Sequence, residues 1–157
     1  MPFTEWKMLK EKLTVELLWW VFTLIVIGIV MLPIWNDVPS FPFTIQNILL
    51  IIFFVTFTRY IFFLHLTLIA RAKWIKVAII ASALLFLFIT ATAMIDFRNF
   101  MDEQGLQTLV DHLDVEAQTR KMNYIKHEMI FFGVGSLITG FMLPLRMIRS
   151  LWRMWNK

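Results

Sequence analysis

The chain contains no cysteine among its 157 residues. Disulfides, thiolate metal sites, iron–sulfur clusters and palmitoylation are therefore excluded. Charge is also scarce: Asp, Glu, Lys and Arg supply 17% of the residues, against about one quarter in an ordinary soluble domain. With three histidines, the chain has no His-Glu-x-x-His or His-x-x-Glu-His pattern, and it has neither a P-loop nor a dinucleotide fingerprint. A bis-His haem needs two imidazoles at one depth, whereas His65 and His127 lie near opposite ends of apolar runs. Ser136 has no histidine within helical reach. No cofactor, metal or catalytic residue is expected, and no internal repeat of about 20–50 residues is visible.

What fills the chain is apolar sequence, 59% of it, with a mean hydropathy of +0.72. Four long runs carry it: residues 15–35, 43–70, 74–95 and 124–145. Each reaches the roughly 20 residues that a helix needs to cross the hydrocarbon core of a bilayer. The expected fold is an all-α, integral membrane four-helix bundle forming a single membrane domain over 1–157, without a soluble appendage. The first run follows Lys7, Lys10 and Lys12 but is too long for a secretory h-region and lacks a small-x-small cleavage site, so it reads as an uncleaved signal anchor.

Orientation follows from where the basic residues fall. Lys7, Lys10 and Lys12 precede the first run; Arg71, Lys73 and Lys76 lie between the second and third; Arg146, Arg149, Arg153 and Lys157 follow the fourth. The 36–42 link has only Asp37, and the 96–123 link holds six acids against Arg98, Arg120 and Lys121. Both termini are thus expected in the cytoplasm, with a bacterial inner membrane as the location. The net charge of +4 becomes a topology signal and excludes nucleic acid as a partner, because the basic residues spread along one membrane face. Trp19, Trp20, Trp35, Trp74, Trp152 and Trp155 lie near expected span ends, where indole favours the headgroup layer.

Three segments outside the runs have helical character. Phe3, Trp6 and Leu9 alternate with Lys7, Lys10 and Lys12, and beyond Pro144 the residues Arg146, Arg149 and Arg153 share one face. Both read as cationic interfacial helices, which anchor the chain or dock lipid or a partner. In the 96–123 link, Leu106, Leu109, Val110 and Leu113 have the spacing of one apolar helix face. Asp111, Asp114 and Glu116 fall on the other face, so a short extracytoplasmic amphipathic helix is expected there.

Ionisable groups at membrane depth are functional candidates by default. Arg59 lies roughly 18 Å along its run from Arg71, and Glu128 roughly 27 Å from Arg146, at 1.5 Å per residue. Arg59 and Glu128 are therefore expected to pair, while Glu16 falls too close to the cytoplasmic end. The pair serves either as structural glue or as a transport site. Gln46, Asn47, Asp96, Arg98, Tyr124, Lys126, His127 and Glu128 gather at the outer span ends, the most polar region of the chain. Gly133, Ser136 and Gly140 form a small-residue seam that admits a neighbouring backbone.

Asp96 and Glu128 are paired carboxylates of the kind used for acid–base work. In size, four spans and this placement the chain is similar to lipoprotein signal peptidase. It lacks that family's Asn-x-Ala-Asp block, and a Glu stands in place of the second Asp, so no family follows. The function expected is a non-enzymatic subunit or accessory component of a larger membrane assembly, contacting the lipid bilayer and other integral membrane proteins or further copies of itself. A transporter or channel subunit using Arg59 and Glu128 is the alternative, and a membrane-embedded hydrolase using Asp96 and Glu128 the third.

Overall fold

A computed structural model describes the backbone of residues 2–156 and the side chains of residues 10–70 and 72–156. It is all-helical, with four long helices: α1 (Pro2–Asp37), α2 (Thr44–Phe63), α3 (Lys73–Glu103) and α4 (Val115–Trp155). All four are long and apolar enough to cross a membrane. Large apolar side chains cover much of the exterior, among them Leu17, Leu24 and Ile29 of α1 and Leu84, Leu85 and Phe88 of α3. A soluble surface does not expose contiguous apolar area on this scale.

The helices overrun or fall short of the apolar runs for identifiable reasons. α1 continues back to Pro2, since no helix breaker intervenes, so the expected N-terminal interfacial helix is continuous with the first span. The side chains of Phe3, Trp6, Lys7 and Leu9 lie outside the described residues. α2 stops at Phe63 rather than reaching residue 70. Thr67 takes an extended conformation (φ −93°, ψ 160°) between 3-10 turns at Leu64–Leu66 and Leu68–Arg71. Its hydroxyl donates to Leu64 O at 2.8 Å, a local bond that competes with the helical ladder.

α3 runs on to Glu103, and α4 passes through Pro144 to Trp155 without a break. The C-terminal basic segment is therefore the end of α4, not a separate interfacial helix. The acidic amphipathic helix is likewise corrected. Between α3 and α4 there is a single 3-10 turn, Leu106–Leu109, entered through Gly105 at φ +77°. Asp114 belongs to α4 as its N-cap, accepting from Ala117 N at 2.7 Å. A side-chain oxygen at that position satisfies one of the first-turn N–H groups, which sets the start of α4 there. Leu106 and Val110 still turn inward and are buried.

α4 is the shared neighbour, packing against both α2 and α3, while α1 lies mainly against α2. Contacts between α2 and α4 keep a nearly constant sequence offset: Asn47 with Glu128, Leu50 with Ser136, Ile61 with Arg146. The two helices thus run parallel and in register along their length. One end of the bundle gathers the 38–43 and 104–114 connections, with Phe41, Phe43, Leu106 and Val110 in one buried cluster with Ile34 and Ile125. We call this the acidic end. At the opposite, basic end a smaller cluster of Phe57, Ile61, Leu64, Leu143 and Met147 closes the core.

Candidate functional site

Polar side chains inside the bundle fall into three groups. The first surrounds Arg59, which is 4% exposed. Its Nη2 lies 2.6 Å from Glu16 Oε2, and the guanidinium packs 5.6 Å from the Trp19 ring and 5.4 Å from the Tyr60 ring. The other oxygen of Glu16 accepts from Leu68 N at 3.2 Å, and Lys12 Nζ donates to Thr67 O at 3.5 Å. The expected Arg59–Glu128 pair is therefore not formed. Because α2 ends at Phe63, Arg59 sits about one turn from its basic end instead of mid-span, at the depth of Glu16. The ion pair joins α2 to α1, not to α4.

The second group lies at the acidic end. Asn47 Nδ2 donates to Glu128 Oε1, and both residues are buried in the α2–α4 interface. Asn47 Oδ1 and Glu128 Oε2 have no hydrogen-bond partner among the described residues. Asn47 and Arg59 are 12 positions apart, roughly 18 Å along the helix, so the two groups are separate sites. Nearby, Lys121 Nζ lies 2.5 Å from Asp37 Oδ2 and donates to Pro33 O at 2.7 Å. Tyr124 donates to Val30 O at 2.9 Å. These bonds fasten α1 to α4.

The remaining members of the expected outer cluster disperse. Gln46 and Asp96 line a cavity of about 260 Å³ between α2 and α3. Arg98 is exposed and lies 3.7 Å from Asp102 on its own helix. Lys126 and His127 are exposed. No hydrogen bond or ion pair among the described residues joins Asp96 to Glu128, since one faces the α2–α3 cavity and the other is enclosed against α2.

Along α4 the small residues divide between two neighbours. Ser136 donates to Leu50 O of α2 at 2.7 Å. A Cβ on Gly133 would fall 1.8 Å from Met94 Sδ of α3, and one on Gly140 would lie 3.2 Å from Leu87 Cδ2 of α3. Gly135 faces the Phe54 ring of α2, at 2.6 Å from such a Cβ. The seam thus admits side chains of α3 and both side chain and backbone of α2.

The third group was not anticipated. Lys76, read from sequence as a charge of the basic link, is fully buried. Its Nζ donates to Ala70 O at 2.6 Å, Ser150 Oγ at 2.9 Å and Met154 Sδ at 3.0 Å. Three acceptors match the three N–H donors of an ammonium. The basic face of α4 is also redistributed. Arg149 and Arg153 are exposed, but Arg146 is half-buried and its Nε donates to Ile61 O at 2.9 Å. Ile61 lies in the last turn of α2, whose carbonyls lack intrahelical donors, and a basic side chain there also complements the helix dipole. A hint of Lys76's burial was present in sequence: it stands after Trp74 and Ile75 at the head of an apolar run, not in the link itself.

The chain was compared with protein-family models, curated proteins and solved structures, and it matches none of them.

Proposed function

We propose that this chain is a small polytopic protein of a bacterial inner membrane, with both termini in the cytoplasm, serving as a non-enzymatic subunit or accessory component of a larger membrane assembly. The orientation rests on the Lys/Arg asymmetry between the two ends of the bundle. The functional reading is carried by one observation: ionisable groups enclosed between the helices bond to neighbouring helices of the same chain. Arg59 closes on Glu16, Glu128 on Asn47, Lys121 on Asp37. Groups committed to such contacts act as glue between spans, and an apolar exterior then remains for lipid and for other membrane proteins or a second copy.

Extraction in a gentle detergent, followed by identification of co-purifying proteins, tests this. Fixed membrane partners at constant stoichiometry are expected. A chain that purifies alone and moves a solute across liposomes by itself would sink the subunit reading. The transporter reading keeps one observation of its own, the enclosed oxygens Glu128 Oε2 and Asn47 Oδ1, which have no hydrogen-bond partner among the described residues. It would centre on Glu128 and Asn47, with Arg59 in a different site.

A further inference from the structure

Lys76 and Arg146 share an unusual feature: neither meets a carboxylate among the described residues. Lys76 is buried on three uncharged acceptors. Arg146 is half-buried with Nε held by Ile61 O, and no hydrogen bond or ion pair of the described residues occupies its terminal nitrogens. Positive charges withdrawn from water in this way call for a counter-ion. Arg146 lines a cavity of about 250 Å³ at the basic end, between the 3-10 turns after α2 and the last turns of α4. Arg146, Arg153, His65 and Ser150 line it together with the apolar Leu64 and Met154. Lys76 underlies it through its bonds to Ser150 and Met154.

We infer that this cavity binds the phosphate of an anionic phospholipid of the adjacent leaflet. The donor set suits that group. Two guanidinium forks match phosphate oxygens in geometry as well as charge, and a hydroxyl and an imidazole add further donors. Among the described residues, no carboxylate lines the cavity to repel the ligand. A lipid is favoured over free phosphate because the residues flanking the site in sequence, Phe62, Phe63, Leu66 and Trp152, are exposed and apolar, a surface for acyl chains. Basic pockets between spanning helices on the cytoplasmic side are suited to anionic headgroups. The inference rests on the membrane reading and its orientation, but not on the accessory-subunit role.

The test titrates the detergent-purified chain with phosphatidylglycerol, with phosphatidylcholine of the same acyl chains and with inorganic phosphate, counting bound molecules by native mass spectrometry. One saturable phosphatidylglycerol is expected, retained in preference to phosphatidylcholine. Arg153→Gln should weaken it about fivefold, the effect of one basic residue on an anionic lipid. Arg153 is exposed, so this variant should fold. Arg149→Gln removes the same charge from an exposed position of the same helix outside the cavity, and should leave binding nearly unchanged. Equal losses from the two variants would reduce the effect to general surface attraction and overturn the site. Equal retention of phosphatidylcholine, which carries the phosphate but no net charge, would overturn the selectivity for an anionic headgroup, and inorganic phosphate binding as tightly as phosphatidylglycerol would overturn the lipid assignment. A chain soluble without detergent would instead refute the membrane reading itself.

Discussion

The two ends of α2 solve the same problem by different chemistry. At the basic end a buried guanidinium meets a carboxylate of α1 and lies against two aromatic rings. At the acidic end a buried carboxyl group of α4 meets the uncharged amide of Asn47. The first contact joins α2 to its neighbour in sequence; the second joins it to a helix 81 positions away. They also differ in exposure. Glu16 keeps a 16% exposed side chain, whereas Asn47 and Glu128 are enclosed by packing. Of these two contacts, the charged pair is the more exposed and the pair with a dipolar partner the more enclosed.

The comparison breaks most sharply at Glu16. Glu16→Gln keeps an acceptor for Leu68 N but leaves Arg59 buried without a counter-charge. A loss of ~3–5 kcal/mol is expected, read by equilibrium unfolding in mixed micelles. Arg59→Met should cost less, because the freed Glu16 can hydrate. Combining the two changes should recover much of the loss, as removal of both charges does for buried pairs. If the double variant is no more stable than Glu16→Gln alone, the two residues do not act as a pair.

A smaller effect is expected at the acidic end. Asn47→Leu removes the donor to Glu128 and should cost ~1–3 kcal/mol, the desolvation penalty of an unsatisfied buried group. Because Asn47 and Arg59 lie roughly 18 Å apart along α2, Asn47→Leu and Glu16→Gln should add within ~0.5 kcal/mol. Strong coupling between them would show that the two ends communicate, as a transport pathway requires.

The glycines sharpen the contrast between the neighbours of α4. Gly133→Ala forces Met94 of α3 to move and should destabilise by ~1–3 kcal/mol, the range for overpacked cores. Gly140→Ala meets the tip of Leu87 at 3.2 Å and the Phe57 ring at an ordinary 3.6 Å, and should shift the unfolding temperature least. Equal effects at the two positions would mean that α3 yields freely along its whole length.

No stability change is expected from the last variant, which tests only the direction of the bundle. Ser40 is exposed in the 38–43 connection, and the native chain offers no competing cysteine. Ser40→Cys should react with a membrane-impermeant thiol reagent added to intact spheroplasts. Reaction only after the membrane is opened would invert the assignment of the acidic and basic ends.

Much of this architecture is legible from hydropathy, because the thickness of a hydrocarbon layer imposes a minimum length on any helix that crosses it. The four apolar runs each became a long helix, whereas the helix expected from the spacing over residues 106–113 did not form, although Leu106 and Val110 are buried. Helix ends were less legible. Thr67 diverts the chain from α-helix into 3-10 turns, where Leu68 N donates to Glu16 across 52 positions. Once α2 ended at Phe63, Arg59 moved in register from mid-span to the neighbourhood of α1. Composition alone marks Arg59 and Glu128 as costly groups that need partners, but it cannot say which ones.

By itself, then, the sequence determined what periodicity, length and composition control: four apolar helices, an acidic and a basic end, and a chain without thiol chemistry. The tertiary structure alone decided the pairings: Arg59 with Glu16, Glu128 with Asn47, and Lys76 buried against Ser150 and Met154. The physical reason lies in range. Hydrophobic transfer acts on each segment separately and is written along the chain. Ion pairs and hydrogen bonds act over a few ångströms, so a helix that ends one or two turns early exchanges one partner for another.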